Sequence, residues 1–329
     1  MSRKLGMAAL VLVATCTSHA ESRDNLRLAA AAQPIVLRFN WGAQLDADVV
    51  AIREELHMKR DSERVLKLEA HFHLHAIREG QRYVLTFSDL TMSFDGQPLT
   101  QEAQPAILGP LTGLVLNYDI AANGDFVGLR DLDRLQSFTE QTYLAQNAQL
   151  RRQDRPSQPE LDLALKSRSA PEVMQLDASR TWGALAGMWA GLELTEGKPL
   201  VSESTVTVPV VNLPVIQRSR FELVRREACG PGERGRSCVR LRANSRPDAA
   251  QIAAALERLK QHSGDAEPVA GSMLVEDRFE LLTDPDTLKP RWAEWIRGAD
   301  MSGLEDGKDR VQSRQSTKTT MTFDYSGKR

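Results

Sequence analysis

Aromatic residues make up only 5% of the 329 positions, and the chain has three cysteines and six histidines. Charge of neither sign dominates: 42 Lys+Arg stand against 44 Asp+Glu, a formal net charge of −2. A chain without a basic excess does not hold nucleic acid through a positive face. Beyond the first twenty residues no apolar run is long enough to span a bilayer as a helix. Neither G-x-S-x-G nor H-E-x-x-H occurs, so the nucleophile-elbow and zinc-protease signatures are missing. Three of the histidines crowd onto one short stretch, which leaves a Ser-His-Asp arrangement little to draw on. These absences point away from an enzyme and predict no cofactor. What is present, 41% hydrophobic and 26% charged residues, suits a folded globular protein.

The amino terminus carries a targeting pattern. Arg3 and Lys4 precede an apolar run from Leu5 to Ala14, and Ser18-His19-Ala20 sets small residues at −3 and −1 of a cut. This predicts a secretory signal peptide over residues 1–20 and a loose, Ala-rich lead-in over 21–34. Cys16 gives a rival reading as a lipidated cysteine. Val13-Ala14-Thr15-Cys16 departs from the usual Leu at −3 and small residue just before the cysteine. Ordinary cleavage implies a periplasmic protein, and lipidation at Cys16 an outer-membrane lipoprotein. Cys229 and Cys238 flank the loop from Gly230 to Ser237, between two segments that read as strands. An even pair in an exported chain favours a disulfide; two buried free thiols are the alternative.

Period-two alternation dominates from Ile35 onward. Over Val65–Ile77, Leu66, Leu68, Ala70, Phe72, Leu74 and Ala76 alternate with Lys67, Glu69, His71, His73 and His75, giving one buried and one polar face. A Glu79-Gly80 turn into Arg82–Phe94 would set Phe72 opposite Phe87 and Leu74 opposite Leu85, with His71, His73 and His75 against Ser88, Thr86 and Val84. A second hairpin runs from Leu114 through Asn123-Gly124 to Leu129. Helical spacing follows over 130–152, over a short 160–168, and over 171–192, where Trp182, Leu185, Ala186 and Trp189 share a stripe beside Gly183, Gly187 and Gly191. Strands are expected at 200–211, 214–228, 238–244, 272–283 and 310–326, with an Ala-rich helix at 248–262. Residues 289–300 fit either a helix or a strand paired with 273–283; strand is preferred. The expected fold is α+β: a long curved antiparallel sheet of about ten strands with three main helices packed on it. Residues 35–329 form a single domain in this reading, with a division into two lobes near 153–170 left open.

Each candidate motif has a plainer reading. His71, His73 and His75 share one strand face and could serve as metal ligands. In the expected hairpin no carboxylate stands beside them, so a solvated polar face is the plainer account. The loop Gly230–Ser237 approaches a phosphate-binding pattern, but Arg236 stands in the lysine position and a strand follows where a helix is needed. No nucleotide is expected. The glycine-lined Trp182 helix either packs on the sheet or roofs an apolar cavity.

An export signal, long alternating strands, the hairpin and helix of Leu114–Leu135 and the Asp284–Pro290 turn together resemble uncharacterised exported β-rich proteins of Gram-negative bacteria. Some of these are similar to the periplasmic half-barrel carriers of lipids and lipoproteins. That resemblance implies an envelope location and an apolar ligand such as a lipid or acyl chain. The pocket expected for it is lined by Phe72, Leu74, Leu85, Phe87, Trp182 and Trp189. Two other functions stay open: a metal-binding envelope protein through the histidines, and an assembly protein that offers a sheet edge or its Thr-rich last strand (Gln315–Tyr325) to another envelope protein.

Overall fold

The computed structural model describes residues 33–59, 62–94, 97–98, 115–149, 157–208, 213–230, 236–254, 272–305 and 308–326. The expected signal peptide, Cys16, nearly all of the expected lead-in, residues 231–235 and the start of the expected lobe division lie outside the described residues. The alternating segments form strands β1 (Ile35–Val36), β2 (Gln44–Lys59), β3 (Ser62–Glu79), β4 (Arg82–Phe94), β5 (Gln97–Pro98), β6 (Val115–Ile120) and β7 (Phe126–Leu129). Helices α1 (Leu132–Gln149), α2 (Gln158–Ser169) and α3 (Pro171–Trp182) follow, and α3 continues into a π-helical turn, Gly183–Gly187. The chain returns to β8 (Glu193–Leu194), β9 (Leu200–Val208), β10 (Leu213–Ala228), β11 (Ser237–Pro247), β12 (Ser272–Thr283), β13 (Pro290–Glu305) and β14 (Lys308–Asp324). Asp248 accepts from the Gln251 amide at 3.0 Å and so caps a helix that starts at Ala249.

The fold is α+β, with one twelve-stranded antiparallel sheet in the order β7-β6-β4-β3-β2-β14-β13-β12-β11-β10-β9 and β5 beside β4. It is two strands larger than expected. A separate pair, β1 with β8, ties the start of the described chain to the segment after the π turn. Residues 290–305 are a strand along β12, in line with the preferred reading of 289–300.

The register shows three departures from expectation. First, the β3–β4 turn is Gly80-Gln81, because Gly80 takes φ +63° at the first turn position. Leu74 therefore faces Phe87, and Ala76 faces Leu85. The slip is even, so from the turn as far as His73 and Ser88 the pairing keeps the expected faces. Second, a bulge interrupts the ladder: His73 pairs Ser88 but His71 pairs Thr91, with Asp89 at φ +54°. Third, the Thr-rich β14 is no edge. It lies in mid-sheet, bonded to β13 on one side and β2 on the other. It cannot offer a strand edge to a partner; β7 and β9 end the sheet.

One sheet face holds the core. Leu45, Ala47 and Val49 of β2, Leu74 and Ala76 of β3, Leu241 and Ala243 of β11, Leu281 of β12 and Ala293 of β13 are buried on it. The apolar row is not continuous: on β2 it passes through Ala51 to Arg53 and Glu55, an ion pair with N–O 2.7 Å. The opposite face carries cross-strand ion pairs, such as Arg242 with Glu280 and Arg246 with Glu276, both at 2.8 Å. Such exposed pairs stabilise weakly, by about 0–1 kcal/mol each, and keep that face wet. Cys229 and Cys238 form the disulfide at the base of the β10–β11 hairpin, with a Cα–Cα separation of 4.8 Å. They are not directly opposed: Cys238 pairs Glu227, and Cys229 lies just past the strand end.

Candidate functional site

Helix α3 lies over the core face of the sheet and has a different neighbour on each flank. On the flank toward β3 and β6, Trp182 is buried, and its ring lies 5.0 Å from Trp41, 5.4 Å from Phe39 and 6.1 Å from Tyr118. Its indole N–H donates to the Gly124 carbonyl at 2.8 Å. One glycine of the stripe, Gly187, is explained here. A Cβ on Gly187 would stand 2.9 Å from the Trp182 ring, so glycine is required for the indole to lie against the π turn. Burial pushes the Tyr118 phenol up to about 12. The cavity left beside Phe72, Leu74, Trp182 and Phe323 measures only about 60 Å³. That is well below the roughly 300–1,000 Å³ of a small-molecule site.

The other flank is hollow. A cleft of about 1130 Å³ opens between α3, the π turn and the core faces of β10 to β13. Trp182, Met188, Phe221, Phe279 and Val275 supply apolar walls. Phe221, Met188 and Val275 are only half-buried, so apolar surface remains accessible there. The strand register orders the floor into rows. Leu223, Leu241, Leu281 and Ala293 make the buried row, and Phe221, Ala243, Phe279 and Trp295 the next. Beyond them Ser219, Ser245, Asp277 and Arg297 make a polar row. Ser219 and Ser245 share a hydrogen bond of 2.8 Å, and Arg297 Nε donates to Asp277 Oδ1 at 2.9 Å. Arg180 reaches into the cleft from α3.

The six expected pocket residues are thus divided. Phe72, Leu74 and Trp182 meet at the small filled cavity. Leu85 and Phe87 stand opposite Ala76 and Leu74 in the backbone register. Trp189 is fully buried, with its indole N–H on the Ala184 carbonyl at 3.1 Å. It stands 6.0 Å from Phe221, behind the cleft wall. Of the four whose side chains are described, only Trp182 also lines the large cleft. Sequence reasoning missed Arg180, Asp277 and Arg297. The available signal was a charged residue at an inward position of a strand, as in Val275-x-Asp277-x-Phe279-x-Leu281.

His71, His73 and His75 lie on the outer face with carboxylates beside them, contrary to the expected hairpin surroundings. The carboxylates come from β2, not from β4: Asp46 pairs His75 and Asp48 pairs His73 across the ladder. His75 Nδ1 is 2.5 Å from Asp46 Oδ1, and His73 Nδ1 is 3.0 Å from Asp48 Oδ1. The hydrogen bond with His75 holds the Asp46 carboxyl below its usual range. At the bulge, His71, His73, Asp48 and Asp89 border a shallow hollow of about 340 Å³. Among the described residues no three His, Cys, Asp or Glu side chains converge closely enough to hold a metal ion.

No family model matches the chain, and no curated protein does. Among solved structures it is similar to lipovitellin, in a structure concerned with lipid–protein interactions: 7% identity over 86% of this chain, TM-score 0.42. The chain spans a quarter of that protein. A putative outer membrane lipoprotein-sorting domain from Vibrio parahaemolyticus matches over 88% of both chains, at 8% identity and TM-score 0.17. A DUF1329 family protein from Desulfovibrio piger matches at 11% identity over 86% of this chain and 87% of its own, TM-score 0.12. At these scores no ligand or residue role transfers to this chain.

Proposed function

We propose that the protein is exported and non-enzymatic, and that it shelters an apolar ligand such as a lipid or acyl chain in the cleft between α3 and strands β10–β13. The observation that carries this reading is the cleft itself: about 1130 Å³ walled by half-buried Phe221, Met188 and Val275, where the opposite flank of α3 leaves only about 60 Å³. Cavities of this size with apolar walls and a few polar groups are the usual form of a small-ligand site. Export is supported by the sequence of residues 1–20 and by the Cys229–Cys238 disulfide, a bond that persists in oxidising compartments. The test is mass spectrometry of what the protein carries when purified from its native compartment, with Phe221→Glu as the comparison. Extractable lipid lost in the variant supports the reading; a chain that carries none, and takes up no long-chain probe, removes it.

The metal reading keeps one observation in its favour. The bulge gathers His71, His73, Asp48 and Asp89 around one hollow, and bulges often re-aim side chains at functional sites. Titration with Zn²⁺ decides it. Stoichiometric uptake that is lost in His73→Ala supports a metal-binding protein, and no uptake at micromolar metal ends that reading.

A further inference from the structure

The cleft is not uniformly apolar, and its polar row is unevenly satisfied. Arg297 has a carboxylate of its own, Asp277, at 2.9 Å. Arg180 has no such partner. Its closest carboxylate is Asp177, 3.8 Å away and largely exposed one turn back on α3. The Arg180 guanidinium makes no hydrogen bond among the described residues, although it carries five N–H donors. Burial lowers its pKa and the positive charge of Arg297 lowers it further, while the carboxylates of Asp277 and Asp177 offset this only in part. A half-buried guanidinium beside a second one is an arrangement that a compact anion relieves, because it accepts charge-assisted hydrogen bonds from both sides. The Ser219 and Ser245 hydroxyls lie in the same row and can donate to the same anion. The other carboxylates bordering the cleft, Asp125 and Glu172, are exposed and come from the strand turn before β7 and the first turn of α3, not from the polar row.

We infer that the cleft takes a long-chain amphipath, with its tail over Phe221 and Phe279 and a single anionic head, carboxylate or phosphate, held between Arg180 and Arg297. This rests on the proposed carrier function and adds the chemistry of the ligand's polar end. The tail lies along the aromatic row one step deeper in the sheet, so head and tail are sorted by adjacent rows of the same four strands. A neutral chain fills the same rows but leaves the guanidinium without an acceptor.

Binding of oleate, of monooleoyl lysophosphatidate and of oleyl alcohol to the full chain, each by calorimetry at pH 7, separates the possibilities. At least one anion is expected to bind about ten-fold or more tighter than the alcohol, the scale of a hydrogen bond to a charged group. Which of the two binds tighter tells a fatty acid from a phospholipid source. Arg180→Gln is expected to erase that preference while alcohol binding stays within about two-fold, and Arg180→Lys to restore part of it. Thermal melts of both variants check that they fold. If the alcohol binds as tightly as both anions, or if Arg180→Gln weakens all three equally, the anionic-head inference is overturned while the carrier reading stands. If none of the three binds, both fall.

Discussion

The two flanks of helix α3 face the same sheet with opposite results. Toward β3 and β6 the space is filled by Phe39, Trp41, Tyr118 and Trp182, with about 60 Å³ left over. Toward β10–β13 the sheet presents serines, an ion pair and half-buried phenylalanines under about 1130 Å³ of open space. The difference lies in what covers the sheet. On the filled side Phe39 and Trp41 from the segment before β2 pack with Trp182 of α3, whereas over β10–β13 the polar row of Ser219, Ser245, Asp277 and Arg297 borders open space. One flank stabilises the fold, and the other keeps room at the expense of stability, a division expected where a binding site is built into a core.

Substitutions sharpen or break that contrast. Trp182→Ala on the filled flank should destabilise the protein by about 3–5 kcal/mol in urea unfolding, because the cavity has no room to collapse among rings. Replacing Cys229 and Cys238 by serine tests whether the hollow half depends on its cross-link. A loss of at most about 3 kcal/mol is expected, and no change would mean that the hairpin end is held by other contacts. Phe221→Ala should lose only about 1–2 kcal/mol, since that ring is half-buried already. A loss matching that of Trp182 would show that the two flanks are energetically alike. Gln175→Ala is smaller again, about 1 kcal/mol. The Gln175 amide both donates to the Leu129 carbonyl and accepts from its N–H at 2.8 Å, so it stands in for a missing strand beside β7. Faster hydrogen exchange at Leu129 is the accompanying readout. The least effect at neutral pH concerns Tyr118. Its phenol has a folded pKa of about 12 against an ordinary 10, so folding is undiminished below pH 10 and weakens as the pH rises from 10 through 12. A phenolate signal near pH 10 from Tyr118 in the folded protein would contradict a sealed filled flank.

The alternation of apolar and polar residues makes most of the strands legible. Arg82–Phe94 and Ser272–Thr283 have the bounds that their alternation and flanking turns suggest. What alternation leaves undetermined is which two-residue turn the chain selects. Gly80 can occupy the left-handed first position, and this moves the β3–β4 register by two without turning any side chain over. The carboxylates beside His73 and His75 were not legible, because they depend on β2 lying on the far side of β3. The cleft was less legible still. Arg180, Asp277 and Arg297 lie on three elements, and only the packing of α3 across the sheet brings them together. The Trp182 stripe was visible as apolar, but its pattern is the same whether it faces a solid core or an empty one. The late Asp-Pro-Asp turn has a plain structural role: it buries Leu288, whose carbonyl accepts the Trp41 indole N–H at 2.9 Å.

The seam between β2 and β14 has a consequence for how the molecule is made. It joins Asp48 to Asp324 and Lys59 to Ser313, so the middle of the sheet is knit from the two ends of the described chain. Both meanders, β2 to β7 and β9 to β14, can assemble from local hairpins. Their union must await β14, since contacts of such long sequence separation form late and slowly. Until β14 is in place, β2 presents an unpaired edge, which leaves the nascent chain open to aggregation over that interval.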